Sequence, residues 1–269
     1  MANHYLGREG APFGSETWDR LDAAMLGAAR GELSGRRLLE IRGPFGLGLK
    51  DVPLADEDLG DGLTVGASLP LTLIHRSFSL PVRDLAAFEQ EPSALNLGPL
   101  VAAALAVARA EDGLIFNGTS RTAGLFTSEG ATRVKLSAWS KVGAAQGDLI
   151  EAASALDRAG FHGPYCLGLS PGRFNQLLRP LETGVVNELD LVKAVATEGV
   201  VKVPALADGA VLIAAGSQFA HLVLGQDMSL GFVGPTGGGA LEFTISESLA
   251  LRVLVPPAVC IVGEVRTVA

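Results

Sequence analysis

The segment from Phe45 to Gly66 limits how this chain can fold more than any other, because it is crowded with Gly, Asp and Pro. These residues favour turns and break regular helices and central strands. The segment reads as a long projecting loop or ribbon, continued by a strand over Leu71 to Leu80. At 269 residues the chain has room for one large domain or two small ones besides that projection.

The rest mixes helices and strands. Ser15 stands as a helix cap before Glu16-Thr17-Trp18, and Trp18, Leu21, Met25 and Ala28 follow at helical spacing. That helix is expected to end near Leu33-Ser34-Gly35, with Arg36 to Arg42 extended and Gly43-Pro44 as a turn. Asn96 to Asp112, rich in Ala, Leu and Val, predicts a buried spine helix with Pro99 in its first turn. Further helices are expected over Asp148–Arg158, Pro171–Leu178 and Glu188–Thr197. Tyr165–Leu169 reads as a strand, and Val211–Ala215 with His221–Leu224 as a strand pair. Near the end, Leu241, Phe243 and Ile245 alternate with Glu242, Thr244 and Ser246. Leu249 to Val255 keeps that period of two, and Val259–Val262 adds an apolar strand, so an antiparallel sheet is expected there. No regular βαβ alternation is present, which makes the class α+β.

Composition narrows the function. Charged residues are 19% and hydrophobic ones 48% of the chain. That balance fits a subunit that hides surface against neighbours, since obligate interfaces resemble a domain core cut in half. A formal net charge of -8 without a basic cluster argues against nucleic acid. Cys166 and Cys260 lie in apolar runs, far apart, and read as buried free thiols suited to a reducing cytosol. The start of the chain lacks the basic-then-apolar pattern of a signal peptide. The longest apolar run, Pro99 to Ala108, is about half of the ~20 residues that span a bilayer, so no membrane partner is expected.

One enzyme signature stands in the chain. Gly168-Leu169-Ser170-Pro171-Gly172 fits the nucleophile elbow of serine hydrolases, with Asp208 and His221 following in the order of that fold. Its oxyanion hole needs the backbone N–H after the serine, and Pro171 has none. The alternative is that Ser170 caps a helix beginning at Pro171. His4, His75, His162 and His221 show no ligand spacing, so no metal is expected. Gly234 to Gly239 lacks the lysine of a phosphate loop and reads as a turn. The Asn117-Gly118-Thr119 sequon has no role in a cytosolic chain.

Five blocks resemble the encapsulin shell proteins: Leu33 to Gly46 (LSGRRLLEIRGPFG), Glu111 to Gly118 (EDGLIFNG), Gly160 to Tyr165 (GFHGPY), Leu224 to Gly231 (LGQDMSLG) and Glu247 to Val253 (ESLALRV). Each is weak alone, but they occur in the family's order. The resemblance implies the fold of tailed-phage major capsid proteins. The peripheral domain would take residues 1–44, 78–130 and 225–269, the extended loop 45–77, and the axial domain 131–224. It also implies a shell of subunits in multiples of sixty, without enzyme activity of its own. The shell would enclose cargo, a ferritin-like protein or a peroxidase carrying a C-terminal targeting peptide, for iron storage or oxidative-stress defence. A phage capsid protein proper is a further reading of the same fold.

The projecting segment agrees with this, because its backbone groups need partners that a neighbouring strand can supply. Closed symmetry would then remove every exposed edge. Flavin-binding members carry a Trp where this chain has Val82, so no cofactor is expected. The tail Met1 to Phe13 and the segment Pro44 to Pro53 look closer to the iron-storing branch. By the same resemblance Glu198, Gly199 and Val200, in the loop after the Glu188 helix, would lie at a five-fold pore; an ordinary helix-terminal turn is the alternative. Arg36, Leu38 and Glu40 would flank the cargo groove, on one face of an extended segment. The alternative for Arg36 and Glu40 is intersubunit ion pairing.

Overall fold

A computed structural model describes residues 4–91, 96–181 and 187–263. In chain order the helices are α1 (Ser15–Ala29), α2 (Gly35–Leu38), α3 (Val82–Gln90), α4 (Gly98–Asn117), α5 (Ala144–Arg158), α6 (Pro171–Gln176) and α7 (Glu188–Lys193). The strands are β1 (Glu40–Arg42), β2 (Asp51–Pro53), β3 (Glu57–Gly60), β4 (Leu63–Val65), β5 (Ser68–Pro70), β6 (Thr72–Pro81), β7 (Thr132–Val134), β8 (Tyr165–Leu169), β9 (Gly199–Lys202), β10 (Ala210–Ala214), β11 (Ala220–Pro235), β12 (Ala240–Val253) and β13 (Val259–Val262). This mixture of helices and strands is the α+β class expected.

The chain divides into two units. One takes in Met1–Leu33, Gly43–Glu111 and Leu224–Leu249, the other Ser34–Arg42, Asp112–Val223 and Ala250–Ala269. Residues 34–42, 112–130 and 250–263 therefore group with residues 131–223, whereas the resemblance implies that they belong to the peripheral domain of residues 1–44, 78–130 and 225–269. The cause is strand pairing: β7 and β13 are rungs of the same sheet as β8 and β10.

In the first unit β6 and β12 pair antiparallel over ten residues, from Thr72↔Leu249 to Pro81↔Ala240. The alternation read from the sequence places Leu241, Phe243 and Ile245 inside. Phe243 is the hub of an aromatic core, with ring centroids of Phe78, Phe232, Trp18 and Phe13 at 5.5, 5.7, 6.0 and 6.1 Å. Such pairs add to the burial of their large apolar area. Helix α1 presents Trp18, Leu21, Met25 and Ala29 to this core. It begins at Ser15 with Gly14 as cap, and no side chain caps it, so Ser15 is inside the helix rather than before it. Arg8 clamps the N-terminal segment. Its guanidinium donates to Asp22 at 2.8 and 2.7 Å and to the Leu230 carbonyl at 2.7 Å, and lies 4.5 Å from the Trp18 ring centroid.

The projecting segment is a two-tier ribbon. β2 pairs with β5 and β3 with β4, closed by a turn in which Gly60, Asp61 and Gly62 have φ of 83°, 51° and 77°. No residue from 45 to 73 is buried. The strand that follows is different. Ile74, Phe78 and Leu80 are core residues, so the projection ends near Leu71 and not at residue 77.

In the second unit a five-stranded sheet runs β7-β13-β10-β8-β9. Strands β8, β10 and β13 are buried along their whole length. Helix α5 packs on this sheet through Ala145, Leu149, Ala152, Ala155 and Leu156. It starts four residues before the predicted Asp148, because that carboxylate does not cap the helix. It accepts from the Ser137 amide and from Trp139 Nε1, both at 2.7 Å, and so holds the loop before the helix. β10 and β11 are not a pair: β10 lies between β8 and β13, while β11 takes β1 as a parallel neighbour. β12 and β13 likewise enter different sheets.

Candidate functional site

The segment expected to be extended from Arg36 to Arg42 is instead one turn of helix, α2, followed by the short strand β1. The turn is held from a distance. Asp112 accepts from the amides of Ser34 and Gly35 at 3.0 and 2.9 Å and from the Ser34 hydroxyl. Both residues are buried, and charge-assisted bonds of this kind are the strong ones. Glycine at position 35 makes room for Ile115, since a Cβ there would stand 2.5 Å from Ile115 Cδ1 and force the buried side chain to shift. Leu38 then turns inward at 8% exposure. A Cβ at position 168 would meet Leu38 Cδ1 at 2.9 Å, so Gly168 of the elbow motif makes room for that leucine.

Behind this turn lies a cleft of about 230 Å³. One wall is the run Arg37 to Glu40. The others are Cys166, Glu198, the stretch Ile213 to Gly216, and Ala220. Cys166 Sγ closes the floor, donating to the Leu38 carbonyl at 3.2 Å. Glu40 and Glu198 are exposed, so the cleft offers carboxylates at its lip, while Leu38, Ile213 and the alanines of its walls are largely buried.

Of the residues expected at the groove, Leu38 and Glu40 line this cleft. Arg36 shares the helical turn but does not line it; Arg37 does. The helical geometry is the reason, because a turn of helix does not put alternate residues on one face. Glu198, expected at a pore, is drawn into the same cleft. Gly199 and Val200 are not in a loop: they open β9 and pair with Cys166 and Leu167. No local sign in the sequence joins Glu198, Ile213 and Ala215 to the Leu38 segment, since the sheet alone brings them together.

The elbow motif does not assemble a triad. Ser170 is the N-cap residue of α6, which begins at Pro171 as expected, but its Oγ is buried and makes no capping bond or other hydrogen bond. Asp208 takes a two-pronged bond from Arg173 at 2.7 and 3.0 Å. His221 Nδ1 bonds the Ser217 carbonyl at 2.8 Å. Among the described residues no three His, Cys, Asp or Glu side chains are grouped to hold a metal, and no helix is long and apolar enough to cross a membrane.

Burial pushes the Cys166 thiol up to about 11 and the Cys260 thiol up to about 12, with the Glu198 and Glu151 charges adding respectively. Both thiols stay protonated at neutral pH, and the thiolate is the reactive form. Iodoacetamide is therefore expected to label each in the native protein ~100-fold or more slowly than a free cysteine of pKa ~8.5. Mass spectrometry of timed samples reads this; labelling at the free-thiol rate would show the burial to be wrong.

Comparison with known proteins bears on the whole chain. The family model described as "Encapsulating protein for peroxidase" matches residues 3–250. A type 1 encapsulin shell protein of Myxococcus xanthus is 30% identical over 277 residues, covering 95% of each chain. Among solved structures, a virus-like particle from Pyrococcus furiosus matches with a TM-score of 0.75 and 20% identity, covering 91% of this chain and 98% of that one. The capsid of the Myoviridae phage XM1 matches with a TM-score of 0.62 and 13% identity, covering 84% and 90%. The fold is thus that of the phage capsid proteins.

Proposed function

The chain belongs to the encapsulin shell protein family, the encapsulating proteins for peroxidase, and on that premise we propose that it closes with copies of itself, in multiples of sixty, into an icosahedral shell around a cargo enzyme. The observation that carries this is the ribbon over residues 45–73. It forms its own hairpin pairs yet buries none of its residues, Leu59 and Leu63 standing 60% and 63% exposed. An isolated two-stranded hairpin is marginal in water. A neighbouring subunit that covers those leucines and pairs the open edges removes both liabilities.

The cargo of this reading is held by its C-terminal peptide in the cleft behind α2. Leu38 supplies apolar contact there, Glu40 and Glu198 supply negative charge, and Arg37 supplies a cation. Exposed charges add ~0–1 kcal/mol per pair, so apolar burial dominates. The family's description favours a peroxidase, and with it oxidative-stress defence, over a ferritin-like protein and iron storage. The neighbouring reading frames distinguish the two, because a cargo gene encodes a matching C-terminal peptide. The shell of this proposal is cytoplasmic, where Cys166 and Cys260 remain free thiols.

The test fills the cleft. Leu38 is too buried for a charged replacement that spares folding, so Ala215, half-buried on the cleft wall, is the better site. With native cargo co-expressed, Ala215→Trp shells are expected to assemble and come out with cargo reduced ~10-fold or more, as losing one buried apolar anchor of ~1.5–3 kcal/mol implies. Densitometry of purified particles measures it. Full loading would remove the cleft from the account.

A further inference from the structure

Ser217 lies where the turn after β10 enters β11, and all three of its polar groups are engaged. Its amide donates to Glu40 Oε1 at 3.2 Å, its hydroxyl accepts from Arg42 Nη2 at 3.3 Å, and its carbonyl accepts from His221 Nδ1 at 2.8 Å. Glu40 and Arg42 are the two ends of β1. That strand pairs in parallel with the opening residues of β11, Glu40 beside His221 and Arg42 beside Val223. Glu40 is also cleft wall, continuous with Leu38 and Leu39. One serine therefore fastens the wall of the cleft to the sheet.

His221 is the member of this clasp that titrates near neutral pH. It is 1% exposed. A carbonyl only accepts, so Nδ1 carries the proton of the neutral ring and Nε2 keeps its lone pair. A second proton must go to Nε2 and creates a buried cation. Arg42 of β1 and Arg252 of β12 disfavour that cation, and Glu40 of β1 favours it. Burial above all, with the two arginines adding to it, holds the ring below the ordinary histidine value of 6.5, against the Ser217 bond and Glu40. The fold then binds fewer protons than the opened state. Stability from this site is complete above ~6.5 and is lost as the pH falls from there through the folded value.

We propose that the Ser217 clasp is an acid-released latch: a proton taken up by His221 loosens β1 from β11 and opens the Leu38–Glu40 wall of the cleft. Its use, letting go of a bound peptide, rests on the cleft being the cargo site. The loosening itself does not.

Hydrogen exchange read by mass spectrometry on the purified full-length protein tests the latch, at about pH 7.5 and about pH 5.5, with protection corrected for intrinsic rates. The wild type is expected to lose protection at lower pH in peptides covering residues 39–43 and 219–224, by up to ~10-fold for each pKa unit that the fold holds the ring down. His221→Asn keeps a donor for the Ser217 carbonyl but takes up no proton, and it should hold its protection. Arg252→Gln removes one facing cation and should shrink the loss. Equal wild-type protection at both pH values overturns the latch, as does a loss in His221→Asn as large as in the wild type. If His221→Asn does not fold, Arg252→Gln decides, and an undiminished loss overturns the latch. Cargo loading in Ala215→Trp shells is read separately. Full loading there, with the wild-type wall still loosening in acid, removes the cargo reading and leaves the latch.

Discussion

Replacing residues 56–65 with a short Gly-Ser turn is expected to abolish shells while leaving the subunit folded. The cut removes β3 and β4 but keeps the β2–β5 rungs, Asp51↔Pro70 to Pro53↔Ser68. No residue in the removed stretch is buried, and the core begins only at Ile74. Folding should therefore change little. Assembly should change greatly, because each of Leu59 and Leu63 gives up ~1.5–3 kcal/mol of burial against a neighbour, repeated at every copy of the contact. Analytical ultracentrifugation is expected to move the protein from the particle fraction to small species, with unchanged far-ultraviolet circular dichroism. Full-size shells from this variant would mean that the ribbon tip does not hold subunits together. Leu59→Asp with Leu63→Asp gives the same result in this account and leaves the backbone intact.

The second large effect is expected at Asp112. Asp112→Ala leaves the buried amides of Ser34 and Gly35 without their acceptor. Bonds to a charged group contribute ~1.5–3 kcal/mol each, and the loss of a buried network is among the few mechanisms that cost ~4 kcal/mol or more. The thermal midpoint should fall on the order of 10 °C for a chain of this size. Asp112→Asn, which keeps one acceptor oxygen, should fall less. Differential scanning calorimetry measures both. Because α2 carries Leu38 and opens into the cleft wall, the alanine variant should also lose cargo at temperatures where it is still folded. An unchanged midpoint would show that the turn is held by its own local bonds.

These two sites show what the sequence made legible. The ribbon announced itself through Gly, Asp and Pro, and α1, α4 and β12 through apolar spacing, since period 3.6 or 2 is a local property of the chain. The α2 turn was missed because it is four residues long and depends on a carboxylate 77 residues away in the bond to Gly35. In the sequence Asp112 stands out only as part of a shared block; the reason for it lies in the amides of Ser34 and Gly35 that donate to it. The pairing of β10 with β8 and β13, rather than with the next strand, also has no local signal, because buried strands of similar composition compete equally. For the same reason the cleft, assembled from α2, β1, β8, β10, the residue before β9 and the start of β11, has only Leu38 and Glu40 legible in the sequence. Glu198 was assigned to a different site altogether. The elbow motif is the converse case: a correct local pattern whose serine the fold buries, and whose glycine serves Leu38.

This chain is expected to close with copies of itself into a shell. The mass of the purified protein in solution, by light scattering in line with size exclusion, tests it most directly. Sixty copies of a 27.7 kDa chain amount to about 1.7 MDa, and a particle of that mass or of a higher multiple of sixty subunits is expected. A stable species of one or a few chains at micromolar concentration, folded and with its ribbon exposed, would contradict it.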